Sequence, residues 1–211
     1  MNKNGILVIL SGFAGSGKGT IIGELLDKYD DYALSVSATT RSPREGEVEG
    51  VHYFFKTREQ FEEMIAKGEL LEYAEYVGNY YGTPKEYVEK QLSMGKNVIL
   101  EIETEGALKI KKDHPDAVLV FVMPPSVEEI YNRLKGRATE TEEVIQRRMK
   151  KAAVEITVVE QYDFLMINDV ISESVEMFNS IVKSQQMRVS RNRDYIAEKK
   201  KEFDEFLQKN R

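Results

Sequence analysis

Gly12-Phe-Ala-Gly15-Ser-Gly17-Lys18-Gly19-Thr20 decides the fold class of this chain. A continuous apolar run, residues 6–10, leads into it, and a helical pattern, residues 18–28, leads out. An uninterrupted apolar run marks a strand covered on both faces, as in a parallel sheet. The glycines open backbone conformations closed to other residues. Successive N–H groups can then converge on one anion at the positive end of the following helix.

The spacing matches the P-loop, in which the lysine, here Lys18, reaches the outer phosphates of a nucleotide. The pattern asks for Ser or Thr directly after the lysine. Gly19 stands there instead, and Thr20 follows. A Mg²⁺ ion accompanying the nucleotide is therefore expected to be held mainly by phosphates and water, and no side chain is assigned to it directly.

Outward from the loop, further apolar runs fall at 97–102, 118–123 and, more weakly, 164–168. Helical patterns lie between or after them at 84–94, 127–135 and 142–161. Strands alternating with helices predict a parallel α/β sheet. Residues 35–83 break the rhythm, with strand-like pieces at 52–55 and 72–77 and one helix. Thr57-Arg-Glu-Gln60 reads as that helix's capping box, with Phe61, Met64 and Ile65 as its apolar side. This stretch reads as an inserted subdomain. A second polar break, 136–143, separates two helices, and Thr139 with Glu142 reads as the cap of the second. The last 24 residues, with eight basic and five acidic side chains, predict a terminal helix docked on the core.

Composition bounds the function. The chain has 211 residues, enough for one or two domains with a real core. Thirty-six acidic residues against thirty basic ones give a net charge of -6, a poor match to a general nucleic-acid binder. The absence of cysteine excludes disulfides, thiol catalysis and cysteine-bound zinc, and His52 and His114 alone cannot make a histidine-rich metal centre. No apolar run approaches the roughly 20 residues of a membrane span. The run after Lys3 is too short for a signal peptide and ends in the glycine-rich loop, so the cytoplasm is the expected location.

Ser37-Ala-Thr-Thr-Arg41-Ser-Pro-Arg44 carries two arginines three residues apart, suited to bidentate phosphate binding. Tyr53, Glu72 and Gly78-Asn-Tyr80-Tyr81-Gly82-Thr83 follow. Singly, each has an ordinary structural reading: surface charge for the arginines, packing for the tyrosines. Thr83 reads as a helix cap, with Pro84 at the first helical position and Glu86 at the third.

Together, G-x-x-G-x-G-K-G-T, S-x-T-T-R-x-P-R, G-N-Y-Y-G-T and the later G-R-x-T-E at Gly136 resemble guanylate kinase, in that order and spacing, over about residues 5–185. The resemblance implies a P-loop NTPase-type parallel sheet flanked by helices, with an inserted mixed α+β GMP-binding subdomain and a small lid. The core would comprise 1–34, 88–135 and 153–211, the subdomain 35–87 and the lid 136–152.

It implies Mg²⁺-dependent transfer of the γ-phosphoryl group of ATP to GMP, giving ADP and GDP. Gly12, Ala14, Gly15, Ser16, Gly17, Lys18, Gly19, Thr20, Arg133, Arg137 and Asn168 would bind ATP. For Asn168 a plain turn role stays open. Ser37, Arg41, Arg44, Tyr53 and Tyr81 would hold the GMP phosphate, and Glu72, Thr83 and Glu103 would read guanine. Lys18, Arg41, Arg137 and Arg148 would carry catalysis by neutralising charge on the transferring group. Guanine offers donors at N1 and the exocyclic amine, so a carboxylate suits it; adenine reverses the pattern and leaves that carboxylate unpaired.

The chain departs from the family at Glu103, usually Asp, at Glu105, usually Gln, at Ala138, usually Gly, and at Val170, where a second Asp is usual. The competing readings are a non-catalytic guanylate-kinase-like phosphopeptide-binding domain, a kinase for another nucleoside monophosphate, and a P-loop ATPase acting on nucleic acid. Lys18, Arg41 and Arg44 argue against the first, Glu72 with Thr83 against the second, and the acidic charge against the third. No nucleic acid or membrane partner is expected, and a homodimer stays open.

Overall fold

A computed structural model describes residues 4–76, 78–136 and 141–210 of the chain, with the Tyr76 side chain left out. In chain order its elements are β1 (Leu7–Gly12), α1 (Lys18–Lys28), β2 (Tyr32–Leu34), β3 (Ser37–Thr39), β4 (Tyr53–Phe55), α2 (Arg58–Ala66), β5 (Leu70–Tyr76), β6 (Asn79–Pro84), α3 (Lys85–Ser93), β7 (Asn97–Glu101), α4 (Thr104–Asp113), β8 (Val118–Met123), α5 (Val127–Gly136), α6 (Glu142–Glu155), β9 (Phe164–Ile167), α7 (Ile171–Gln186) and α8 (Arg193–Lys209).

Five strands form a wholly parallel sheet in the order β2-β7-β1-β8-β9. The first apolar run explains its central place. Ile6, Val8 and Leu10 point into the core beneath α1 and α7, while Leu7 and Ile9 point into the opposite core beneath α3 and α4. Side chains alternate faces along a strand, so only a strand covered on both sides needs every position apolar. Each fully buried Leu or Ile here contributes roughly 1.5–3 kcal/mol over leaving it in water. A third cluster, Phe13, Phe121, Ile130, Leu134, Ile145 and Ala152, seats α5 and α6 beside the loop after β1. That loop emerges at the carboxyl edge of the central strand, where open α/β sheets place their ligands.

The stretch that broke the sequence rhythm makes a separate four-stranded mixed sheet, β4-β3-β6-β5, with α2 against it. The Thr57 capping box is present in both directions, and Phe61 is buried under a stacked Tyr80 ring at 5.2 Å.

Four local expectations are corrected. The 142–161 helix stops as an α-helix at Glu155 and continues as a 3₁₀ segment, Ile156–Gln161. The cap of α6 is Thr141, whose hydroxyl accepts from the Val144 N–H; Thr139 lies outside the described residues. Thr83 does not cap α3. Pro84 is the cap residue and Thr83 is a buried residue within β6, because the strand pairing continues through it to Pro84. The terminal helix forms but does not dock: α8 has no buried residue, and Phe203, Phe206 and Leu207 are exposed. Its amphipathic pattern predicts a helix without specifying a partner for the apolar face.

Candidate functional site

The loop after β1 is held in shape from beneath. Gly17, at φ +90°, is the N-cap of α1, a left-handed conformation that glycine adopts without strain. Asn168, directly after β9, is fully buried below it. Its amide donates to the Ser16 carbonyl at 2.7 Å, and its carbonyl oxygen accepts from Ser174 at 2.8 Å. A Cβ on Gly17 would sit 2.3 Å from the Asn168 amide nitrogen. Asn168 therefore braces the loop from below, its amide turned to the Ser16 carbonyl. Lys18 opens α1, and its ammonium donates to the carbonyls of Gly12 at 2.8 Å and Phe13 at 3.2 Å.

Two adjoining cavities lie along the loop. One, of about 370 Å³, is lined by Ala14, Gly15, Ser16, Gly17, Lys18, Gly19, Thr20 and Glu101. The other, of about 300 Å³, is lined by Gly12, Lys18, Tyr53, Glu103 and Glu155 among others. Lys18 and Glu101 border both. Arg133 stands against the loop on α5, its Cβ 3.7 Å from the position of a Cβ on Gly15, with its Nε donating to Glu129 at 2.7 Å. Arg148 is half-buried on α6. Arg137 and Ala138 lie outside the described residues.

On the smaller sheet, strand pairing gathers the second set of residues. Ser37 lies beside Tyr53 in the β3–β4 register, and Thr39 opposite Tyr81 in β3–β6. The Tyr53 and Tyr81 rings meet edge to face at 6.2 Å, and the Arg41 guanidinium lies 5.4 Å from the Tyr53 ring centre. Arg41 is itself held by Glu47, with Nη1 and Nη2 donating to the two carboxylate oxygens at 3.0 and 2.8 Å. The Arg44 backbone N–H donates to the same carboxylate at 2.7 Å, while the Arg44 side chain is exposed. The bond to Arg41 first, then that N–H, bring the Glu47 carboxyl down to about 2.

Glu72 is buried on β5 and accepts from the Thr83 hydroxyl at 2.7 Å. Burial pushes its carboxyl up, against the opposing influence of Thr83 and the Lys109 charge. Its other oxygen faces the first turn of α4, where Gly106 leaves room: a Cβ there would sit 3.2 Å away. Glu103, the N-cap residue of α4, makes no capping bond. It accepts from Lys151 of α6 at 2.6 Å. Burial would raise the Glu103 carboxyl, but Lys151 prevails and holds it below its ordinary value. Glu155, one turn beyond Lys151 and 3.7 Å from it, is pushed up to about 7 by burial and by Glu103.

Lys18 of the loop and Tyr53 of the smaller sheet thus line one cavity, with Tyr81 and Arg41 packed against the Tyr53 ring. Sequence reading missed Glu47, Lys151, Glu155 and Gly106. Glu47 follows Arg44 by three residues, a spacing that could have flagged it. The other three have no sequence signal, since their importance lies in what the fold sets opposite them. Among the described residues, no group of three or more His, Asp or Glu side chains forms a metal site, and no helix is long and apolar enough to cross a membrane.

The family model described as guanylate kinase matches residues 4–185. The chain is 51% identical over 189 residues to the guanylate kinase of Halalkalibacterium halodurans, covering 90% of this chain and 93% of that one. It is 50% identical over 200 residues to the guanylate kinase of Clostridioides difficile, covering 95% and 98%. Among solved structures, the crystal structure of guanylate kinase from Anaplasma phagocytophilum matches with a TM-score of 0.71 at 34% identity, covering 90% of this chain and 91% of that one.

Proposed function

The chain belongs to the guanylate kinase family and is a nucleoside monophosphate kinase, an ATP:GMP phosphotransferase, and on that premise we propose how its own residues divide the work. The observation that carries the proposal is the 300 Å³ cavity that Lys18 and Tyr53 both line. Phosphoryl transfer needs little covalent chemistry from a protein. It needs two phosphates in line and neutralisation of the charge that spreads over the transferring group.

The loop of Gly12, Ala14, Gly15, Ser16, Gly17, Gly19 and Thr20 cradles the ATP phosphates with its backbone N–H groups. Lys18 leaves its two carbonyl partners to reach the outer phosphates. Arg133, Arg137 and Arg148 add positive charge from α5, α6 and the segment between them. Arg41, Arg44, Tyr53, Tyr81 and Ser37 hold the GMP phosphate. Glu72 accepts from the guanine N1–H and amine, Thr83 turns its hydroxyl from Glu72 to O6, and Glu103 adds a second carboxylate once Lys151 releases it. Residues 35–87 serve as the GMP-binding subdomain, 136–152 as the lid and the remainder as the core. Lid closure excludes water and so suppresses ATP hydrolysis.

Magnesium suits the donor set. Ser16 is buried, whereas Thr20 is exposed beside the loop, so an ion resting mainly on phosphates and water fits. Bound there, Mg²⁺ would neutralise phosphate charge. We place the enzyme in the cytoplasm, where both nucleotides are available, acting on small molecules without a nucleic-acid or membrane partner, and a homodimer is compatible with the exposed apolar faces.

Lys18→Met tests the assignment. GMP-dependent ADP production should fall by about 10³-fold or more while the thermal midpoint stays within a few degrees. Near-wild-type turnover would refute the role of Lys18.

A further inference from the structure

The Glu47 carboxylate grips Arg41 in a particular way. Glu47 is half-buried in the 44–50 loop, its oxygens 3.0 and 2.8 Å from Nη1 and Nη2 of Arg41. The second Nη1 hydrogen goes to the Ser42 carbonyl at 2.7 Å. An arginine offers five N–H donors in a rigid plane. Three are thereby occupied, two on the end of the fork and one beside it. The remaining two, Nε–H and the outer Nη2–H, share one side edge, a geometry that matches two oxygens of a phosphate. The Tyr81 hydroxyl interacts with the same guanidinium, and the Tyr53 ring lies 5.4 Å from it. One carboxylate thus sets the plane of Arg41 and, through the Arg44 N–H at 2.7 Å, the course of the loop carrying Arg44.

We propose that Glu47 is a positioning residue for the acceptor phosphate: it holds Arg41 by the end of its fork so that the side edge, with the Tyr81 hydroxyl, meets the phosphate of the nucleoside monophosphate. The inference rests on the assignment of Arg41 and Tyr81 to that phosphate. It requires Glu47 to stay in place when substrate binds. The opposite arrangement, in which Glu47 imitates the phosphate and must be displaced, makes the opposite prediction for affinity. The low pKa of Glu47 keeps the carboxylate charged throughout the working pH range.

The test uses the full-length enzyme and three forms, wild type, Glu47→Gln and Glu47→Asp, with initial rates over GMP and over ATP. Binding of GMP and of guanosine, which lacks the phosphate, is measured by calorimetry. Glu47→Gln should raise the KM for GMP about tenfold or more, because a charge-assisted bidentate contact is lost. The KM for ATP should change less than about twofold, and guanosine should bind all three forms alike. Glu47→Asp, which keeps the charge one methylene short, should recover part of the loss. An unchanged KM for GMP in Glu47→Gln, tighter GMP binding, or an equal loss of guanosine binding would each overturn the proposal. Wild-type enzyme without GMP-dependent turnover would instead overturn the underlying site assignment, so the two failures are distinguishable.

Discussion

Glu72→Gln separates base recognition from folding, because the same buried carboxylate bears on both in opposite directions. Glu72 is 8% exposed and spends one oxygen on the Thr83 hydroxyl at 2.7 Å. Its other oxygen faces Gly106, where a Cβ would sit 3.2 Å away. In the proposed complex the carboxylate accepts from two guanine donors. Glutamine removes the charge, and a hydrogen bond to a charged group is worth about 1.5–3 kcal/mol. Its amide nitrogen can donate to the Thr83 hydroxyl, but that leaves one oxygen for two guanine donors, and a buried donor left unpaired costs about 1–3 kcal/mol. The loss of about 2.5–6 kcal/mol corresponds to a fall in kcat/KM for GMP of about 10²–10⁴-fold. Adenine presents an acceptor at N1 and a donor at the six position, which an amide can match, so the rate with AMP should hold or rise.

Stability should move the other way. Burial raises the Glu72 carboxyl above its unfolded value, so its charge costs nothing below the unfolded pKa and costs fully above the folded one. At pH 8 the glutamine variant should therefore melt at or above the wild-type temperature. Initial ADP release with GMP and with AMP, and a thermal melt at pH 8, are the assays. An unchanged GMP-to-AMP ratio in a folded variant would refute the recognition reasoning, and a lower melting temperature at pH 8 would refute the stability reasoning.

Gly17→Ala should destabilise strongly. A left-handed conformation costs a non-glycine residue about 1–2 kcal/mol, and the new Cβ would lie 2.3 Å from the hydrogen-bonded Asn168 amide. The expected loss of about 3 kcal/mol lowers the melting midpoint by about 6–12 °C; an unchanged midpoint would contradict the bracing role of Asn168. Glu155→Gln should stabilise in a pH-dependent way. The carboxyl titrates near 4.5 when unfolded and at about 7 when folded, so its charge costs stability progressively from pH 4.5 to 7 and fully above. The gain should be on the order of 2 kcal/mol at pH 8 and absent near pH 4; equal melting shifts at both pH values would argue against it.

The parts of the molecule legible in the sequence are those where one stretch of chain carries both signal and cause. β1 is such a case, since burial on both faces forces an apolar residue at each position from Leu7 to Leu10. The Thr57–Gln60 capping box is another, because both its bonds close within four residues. Thr83 was ambiguous because Thr-Pro suits a helix start. The pairing of β5 with β6 decides otherwise, a contact across 11 residues that places its hydroxyl on Glu72. The Glu103–Lys151 bond joins residues 48 apart, and the seating of Asn168 beneath Ser16 spans 152. Neither distance leaves a local trace. For α8 the helical period was legible, but a period says which face is apolar and nothing about what lies opposite it.

The most direct measurement is ADP production by the wild-type enzyme from ATP and Mg²⁺, with GMP, AMP, UMP and dTMP supplied in parallel. Turnover should depend on the monophosphate and favour GMP over AMP by on the order of 10⁴-fold in kcat/KM, the discrimination expected when the wrong base leaves buried polar groups unpaired. Equal rates with GMP and AMP would contradict guanine reading by Glu72 and Thr83, and no GMP-dependent ADP at millimolar substrate would contradict the kinase reading itself.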